Sequence, residues 1–203
     1  MSRAARKPPA ERRAELAAAA RALALDEGLA AVTLRAVAAR AGVTPALVAH
    51  YHESMDGLVA ETFVSVVTAE IAEVRALLAA QAHPVERLRA LVGTLLDGSR
   101  DDVTVIWVEA FALGRRNAVL GAAVRGQMDA WSEVIESVIE GGVASGDFRA
   151  HDPQAVAWQL LGMIDGLNAQ ALVRWGGAAD RGSLLAHALE GMLGLAVGAL
   201  TPA

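Results

Sequence analysis

The chain has no cysteine among its 203 residues. A disulfide framework, a thiol nucleophile and a cysteine-based zinc site are thereby excluded. Aromatic residues make up only 4%, beside 54% hydrophobic and 20% charged residues, which is the composition of a globular chain. Long apolar runs are missing too. The stretch 191–200 near the C-terminus is too short to cross a bilayer, and the basic start, MSRAARKPPAERR, has no apolar signal core behind it. A soluble, cytoplasmic protein of one or two domains is therefore expected, with no membrane partner. Sustained apolar–polar alternation is also lacking, so no sheet is expected.

The net charge of −5 is unevenly spread. Through His52 there are eight basic residues (Arg3, Arg6, Lys7, Arg12, Arg13, Arg21, Arg35, Arg40) against four acids (Glu11, Glu15, Asp26, Glu27). The remainder carries ten basic and nineteen acidic residues. A basic end on an acidic body fits a protein that touches phosphate at one end only.

That basic end holds the most informative segment, TLRAVAARAGVTPALVAHYHESMDGL, residues 33–58. Thr33 is an N-cap, and Leu34, Val37 and Ala38 line one side of a short helix. Ala41-Gly42-Val43 forms a tight turn in which Gly42 takes a left-handed conformation without steric cost. Thr44 caps the next helix and Pro45 fills its first turn, where a missing N–H does no harm. This is a helix-turn-helix, whose second helix enters the DNA major groove.

Elsewhere the periodicity is helical. A first helix opens at Pro9, carries Leu16, Ala20 and Leu23 on one face, and stops near Gly28. Ser54 caps a long helix running to His83-Pro84. Further helices follow over Val85 to Leu95, from Asp102 to Gly114, from about Leu120 to Gly141-Gly142, from Asp152-Pro153 to Gly176-Gly177, and from about Arg181 to Val197. The expectation is an all-α chain of about nine helices. Residues 1–53 form a three-helix DNA-binding domain with a basic arm, and residues 54–203 a larger bundle.

The segment Arg12 to Leu58 resembles the N-terminal domain of the TetR family of bacterial regulators. The likeness rests on Gly28, Val32-Thr33-Leu34-Arg35, Val37-Ala38, Ala41-Gly42-Val43-Thr44, His50-Tyr51-His52 and Leu58. HYHESMDGL is similar to the BetI-like branch, as are Trp107-Val108-Glu109-Ala110, Gly146-Asp147-Phe148-Arg149, Asp152-Pro153 and Asp165-Gly166-Leu167. The resemblance implies a homodimer that binds a palindromic operator with its small domain and an effector with its large one. Three positions depart from the family pattern. Met55 stands where a phosphate-contacting lysine is usual, Ala49 where a tyrosine often contacts phosphate, and His52 where a phenylalanine packs the small domain.

The expected DNA-contacting residues are Thr33, Arg35, Arg40, Thr44, Pro45, Ala46, Leu47, His50 and Tyr51, with Arg3, Arg6 and Lys7 of the arm. Thr44, His50 and Tyr51 can reach phosphates or base edges, and Ala46 and Leu47 thymine methyls. No Arg, Lys, Asn or Gln lies between Val43 and Leu58, so specificity leans on duplex shape, on Arg35 and Arg40, and on the arm in a minor groove. The arm's other reading is a solvated tail. His50, His52 and Glu53 do not read as a metal site, because alternate residues of a helix point apart. No catalytic set, metal or cofactor is expected.

In the larger domain Trp107, Phe111, Met128, Trp131, Trp158 and Met163 either pack a core or line a pocket. Glu109, Asp165 and Asn168 are polar among them, and a buried carboxylate needs a partner. Trp beside carboxylate suits a cationic amine or quaternary ammonium effector. The ligand-binding set is therefore Trp107, Glu109, Phe111, Met128, Trp131, Trp158, Asp165 and Asn168. Gly162/Gly166 and Gly194/Gly198, each one helical turn apart, suggest close helix approach. Leu160, Leu167, Leu172, Leu185, Leu189 and Leu193 are then read as burying against a second copy. The expected function is a ligand-released repressor binding double-stranded DNA as a dimer. The alternative is a DNA-binding regulator without a small ligand, controlled by a protein partner. An enzyme on the bundle, using Asp165, Glu109 and His151, leaves the helix-turn-helix unexplained.

Overall fold

Local capping chemistry determines where most helices begin. In the computed structural model, which describes residues 7–176 and 180–201, nine α-helices and one turn of 3-10 helix account for the regular structure, with no strand among the described residues. The helices are α1 (Pro9–Glu27), α2 (Leu34–Ala41), α3 (Pro45–Tyr51), α4 (Met55–Ala79), α5 (Pro84–Leu96), α6 (Asp101–Gly114), α7 (Ala118–Ser145), α8 (Pro153–Leu172) and α9 (Arg181–Leu193). The 3-10 turn is Leu29–Ala31, between α1 and α2. Ser54 accepts from Gly57 N at 3.0 Å and so opens α4. Asp152 accepts from Ala155 N at 3.0 Å and opens α8, with Pro153 in its first turn.

The chain divides into two compact units. The first comprises Met1–Val66 and Val105–Val124, and the second Val67–Thr104 and Arg125–Ala203. In the first, α1 packs on α2 and α2 on α3. Leu16, Ala20 and Leu23 of α1, Val37 and Ala38 of α2, and Val48 of α3 are buried there, as are Phe63, Ile106 and Leu120. Burying an apolar side chain of this size contributes about 1.5–3 kcal/mol. In the second unit α5, α8 and α9 pack on one another. Leu88, Leu91, Ile135, Leu160, Leu185, Leu189 and Leu193 form its buried apolar set.

Three expected helix ends lie elsewhere. Helix α7 runs through Gly141-Gly142 to Ser145. Gly142 is there because the Phe148 ring lies against it, with Cδ2 2.0 Å from where a Cβ would be. Gly146, at φ +83°, is the residue that ends the helix. Helix α9 stops at Leu193, not Val197, because Gly194 turns left-handed at φ +66° and donates to Glu190 O. Gly194 and Gly198 both have positive φ and lie beyond the helix, so they form turns and not a packing stripe. Gly176-Gly177 likewise does not bound α8, which ends at Leu172. No helix of the described residues is long and apolar enough to cross a membrane.

Candidate nucleic-acid interface

The helix-turn-helix is built by two threonine caps around one left-handed glycine. Thr33 Oγ1 accepts from Ala36 N at 3.1 Å, and Thr44 Oγ1 from Leu47 N at 3.3 Å. Gly42 sits at φ +66°, and Val43 N closes the turn on Ala38 O at 2.9 Å. Val48 is wholly buried, which fixes the face that α3 turns inward. Thr44, Pro45, Ala46, Ala49 and His50 are exposed on α3, Leu47 and Tyr51 half-buried. Both cap hydroxyls keep a hydrogen to donate outward, since each cap uses only an oxygen lone pair.

Charges around this face differ in how free they are. Arg35 is exposed and has no hydrogen bond or ion pair among the described residues. Arg40 is bonded to Asp26, near the end of α1. Lys7 pairs with Glu15 at 3.0 Å, and Arg12 with the same carboxylate at 2.6 Å. The Lys7 hydrogen bond is the main reason the Glu15 carboxyl lies below its usual range. Arg3 and Arg6 lie outside the described residues. Tyr51 closes a cleft of about 500 Å³ against Pro9, Ala10, Arg13 and Ala17 of α1, and its ring meets His50 edge-on at 5.4 Å.

His52 occupies the packing position that the resemblance assigns to phenylalanine. It is 8% exposed, and its Nδ1 donates to Glu61 Oε2 of α4 at 3.0 Å. Met55 is half-buried at the start of α4. The sequence does not mark Asp26 and Glu61 as partners of Arg40 and His52. Their partners sit fourteen and nine residues away, beyond any helical repeat.

Of the eight residues expected to bind an effector, Trp107, Glu109 and Phe111 belong to the first unit and the other five to the second. Trp107 and Phe111 do meet on α6, 5.6 Å between rings, and Trp107 stands edge-on to Phe63 of α4 at 5.0 Å. Glu109 is turned to the corner between α1 and α2, where Oε2 accepts from Ala30 N at 3.0 Å. Trp131 is 3% exposed and belongs to the core, whereas Trp158 is 73% exposed on α8. Met128 is half-buried on α7. Asn168 is held at both ends: its Nδ2 donates to Leu95 O at 2.9 Å and its Oδ1 accepts from Arg181 at 3.0 Å. Asp165 is half-buried on α8, and burial pushes its carboxyl up to about 6. A different set lines a cleft of about 410 Å³ in the second unit: Arg75, Leu78, Arg87, Glu133, Val134 and Val138. These residues lie on three helices and share no motif, so nothing in the sequence marks them as neighbours.

The leucines expected to bury against a second copy need correction. Leu160, Leu185, Leu189 and Leu193 are buried within their own chain. The apolar residues that α8 and α9 leave exposed are Trp158 and Leu184, together with Val173 and Trp175 just after α8.

Comparison with known proteins accounts for both halves. Residues 16–62 match the model of the bacterial regulatory proteins of the tetR family, and residues 84–194 that of the BetI-type transcriptional repressor C-terminal domain. No curated protein matches the sequence significantly. Among solved structures, a transcriptional regulator from Saccharomonospora viridis in complex with choline is 24% identical with a TM-score of 0.79, covering 91% of this chain and 98% of its own. A regulator from Pseudomonas aeruginosa PAO1 is 20% identical with a TM-score of 0.73, covering 92% of each chain. The transcriptional regulator FadR from Bacillus subtilis, in complex with stearoyl-CoA, is 17% identical with a TM-score of 0.67, covering 89% of this chain and 97% of its own. A capped helix-turn-helix with an exposed recognition face, joined to a BetI-type C-terminal half, places this chain in the TetR family of bacterial transcriptional regulators.

Proposed function

We propose that the protein is a cytoplasmic repressor that binds a palindromic operator as a homodimer and is released by a small-molecule effector. The observation that carries this is the exposed face of α3, Thr44, Pro45, Ala46, Ala49 and His50, held by two caps and by buried Val48. It stands on the basic end of an otherwise acidic chain. A two-fold pair of such helices reads two half-sites about one helical turn apart. The exposed Trp158 and Leu184 support pairing through α8 and α9.

Support for an effector comes from relatives of the same fold crystallised with choline and with stearoyl-CoA. The cleft lined by Arg75, Arg87, Glu133, Leu78 and Val134 has a volume within the range of small-molecule sites, and both charges and apolar walls. A cationic effector would draw on Asp165 near neutral pH, where its carboxyl is largely ionised. The second reading, regulation by a protein partner without a small ligand, keeps one observation in its favour: Glu109 and Asn168 are already spent on partners inside the fold.

Footprinting on duplexes selected from a random pool, across a salt series, tests the operator. A protected palindrome whose affinity falls steeply with salt is expected, and no protected sequence at low salt would refute it. Adding choline and stearoyl-CoA to the bound complex then separates the two readings. Release by either favours an effector, and retention with both favours a partner.

A further inference from the structure

The first unit contains more than the three N-terminal helices and the start of α4. It also includes Val105–Val124, the greater part of α6 and the beginning of α7. Two hydrogen bonds from that segment reach back to the N-terminal part of the unit, one to the first turn of α4 and one to the 3-10 turn between α1 and α2. Asn117, 9% exposed, donates from Nδ2 to Asp56 O at 3.3 Å while its Oδ1 caps Leu120 N at 2.9 Å. Glu109 reaches in the other direction, accepting from Ala30 N at 3.0 Å, across 79 residues of sequence.

The fit at Glu109 is tight. Gly28 ends α1 at φ +88° and donates its N–H to Ala24 O at 2.9 Å. A Cβ on Gly28 would stand 2.8 Å from Glu109 Oε2 and 2.9 Å from Oε1. The carboxylate thus lies directly on the backbone where the chain leaves α1, and it holds the N–H of Ala30, the middle residue of the 3-10 turn that follows. Three residues later Thr33 caps α2, and α2 packs on the recognition helix. A charged acceptor on a backbone N–H is among the stronger neutral–ion contacts available to a fold.

We propose that Glu109 is a positioning residue for DNA recognition: from α6, its carboxylate fixes the corner between α1 and α2 and thereby the attitude of α3. Two residues before it on α6, Trp107 packs on Phe63 of α4 and on Phe111, so the helix that carries the carboxylate is itself held by ring contacts. The role rests on the operator reading above, and its test is arranged to separate the two.

The experiment compares the full-length protein with Glu109→Gln and Glu109→Ala. Affinity is measured for the selected palindrome and for a random duplex, together with the thermal midpoint. Alanine should lower affinity for the palindrome about tenfold and leave the random duplex unchanged, because phosphate contacts do not pass through the corner. Glutamine should restore affinity to within about threefold of wild type, since its amide oxygen still accepts from Ala30 N. An alanine variant that keeps the wild-type ratio of the two affinities overturns the proposal. So does a glutamine variant as impaired as alanine. If the wild type selects no sequence at all, the operator reading has failed, and deuterium uptake by DNA-free protein decides for Glu109 alone. Faster exchange over residues 28–41 in the alanine variant, with glutamine near wild type, supports the positioning role, and unchanged exchange there refutes it.

Discussion

Gly141 and Gly142 are neighbours in α7 with opposite surroundings. A Cβ on Gly141 meets nothing within 4 Å, whereas one on Gly142 collides with the Phe148 ring. Gly141→Ala should therefore stabilise the fold by about 0.5–1 kcal/mol through helix propensity alone. Gly142→Ala should destabilise it by about 1–3 kcal/mol, since the buried ring must move and overpacking outweighs propensity. Urea midpoints of the pair check both signs. Asp165 adds a prediction in pH. Its carboxyl is raised by burial from the usual 3.8 to about 6, so the folded state favours the protonated form. The resulting stability is complete below the unfolded value and is lost as pH rises through the folded one. Asp165→Asn should thus match wild type at about pH 4 and be the more stable by up to about 3 kcal/mol at about pH 7. A gap that does not widen between the two conditions would contradict the assignment.

At the scale of an element, the recognition helix is the most exposed to loss of a cap. It has seven residues, too few to be helical on its own, so its first turn depends on Thr44 accepting from Leu47 N. Thr44→Ala should cost about 1 kcal/mol and weaken operator binding, whereas Thr44→Ser keeps the acceptor and most of the stability. Thermal melts and gel shifts of the two variants distinguish the cap from the methyl group. Such helix starts were legible in sequence, because a Thr, Ser or Asp followed by Pro or an apolar stripe acts on its own nearest neighbours. Thr33, Thr44, Ser54 and Asp152 all cap as read. Helix ends were less legible. Gly142 and Gly146 are alike as residues, and only the Phe148 ring, brought in by tertiary packing, decides which lies inside α7. The same limit hid the partner of Glu109. A carboxylate in an apolar helix announces that it needs a donor, but the donor at Ala30 N is a backbone group and carries no signature in the sequence.

For the whole molecule, the apolar residues of α8 and α9 illustrate how far pattern goes before packing takes over. Both helices are apolar on more than one face, so period alone could not say which leucines turn inward. Leu160, Leu185, Leu189 and Leu193 do, and Trp158 and Leu184 remain 73% and 57% exposed. Helices α8 and α9 pack on each other, and the proposed pairing through them would take these exposed side chains out of water. The proposed dimer also suits DNA recognition by short α3. One recognition helix without a long basic side chain between Val43 and Leu58 supplies little discrimination, and two of them on a palindrome add their free energies at the cost of one association. Trp158→Glu combined with Leu184→Glu places two carboxylates on that surface without touching the core. The variant should fold, sediment as a monomer, and lose the palindrome while retaining weak, salt-sensitive binding to any duplex. Sedimentation velocity alongside fluorescence anisotropy separates these effects. A variant that remains dimeric would move the interface off α8 and α9, and a monomer that still distinguished the palindrome would show that one copy of α3 suffices.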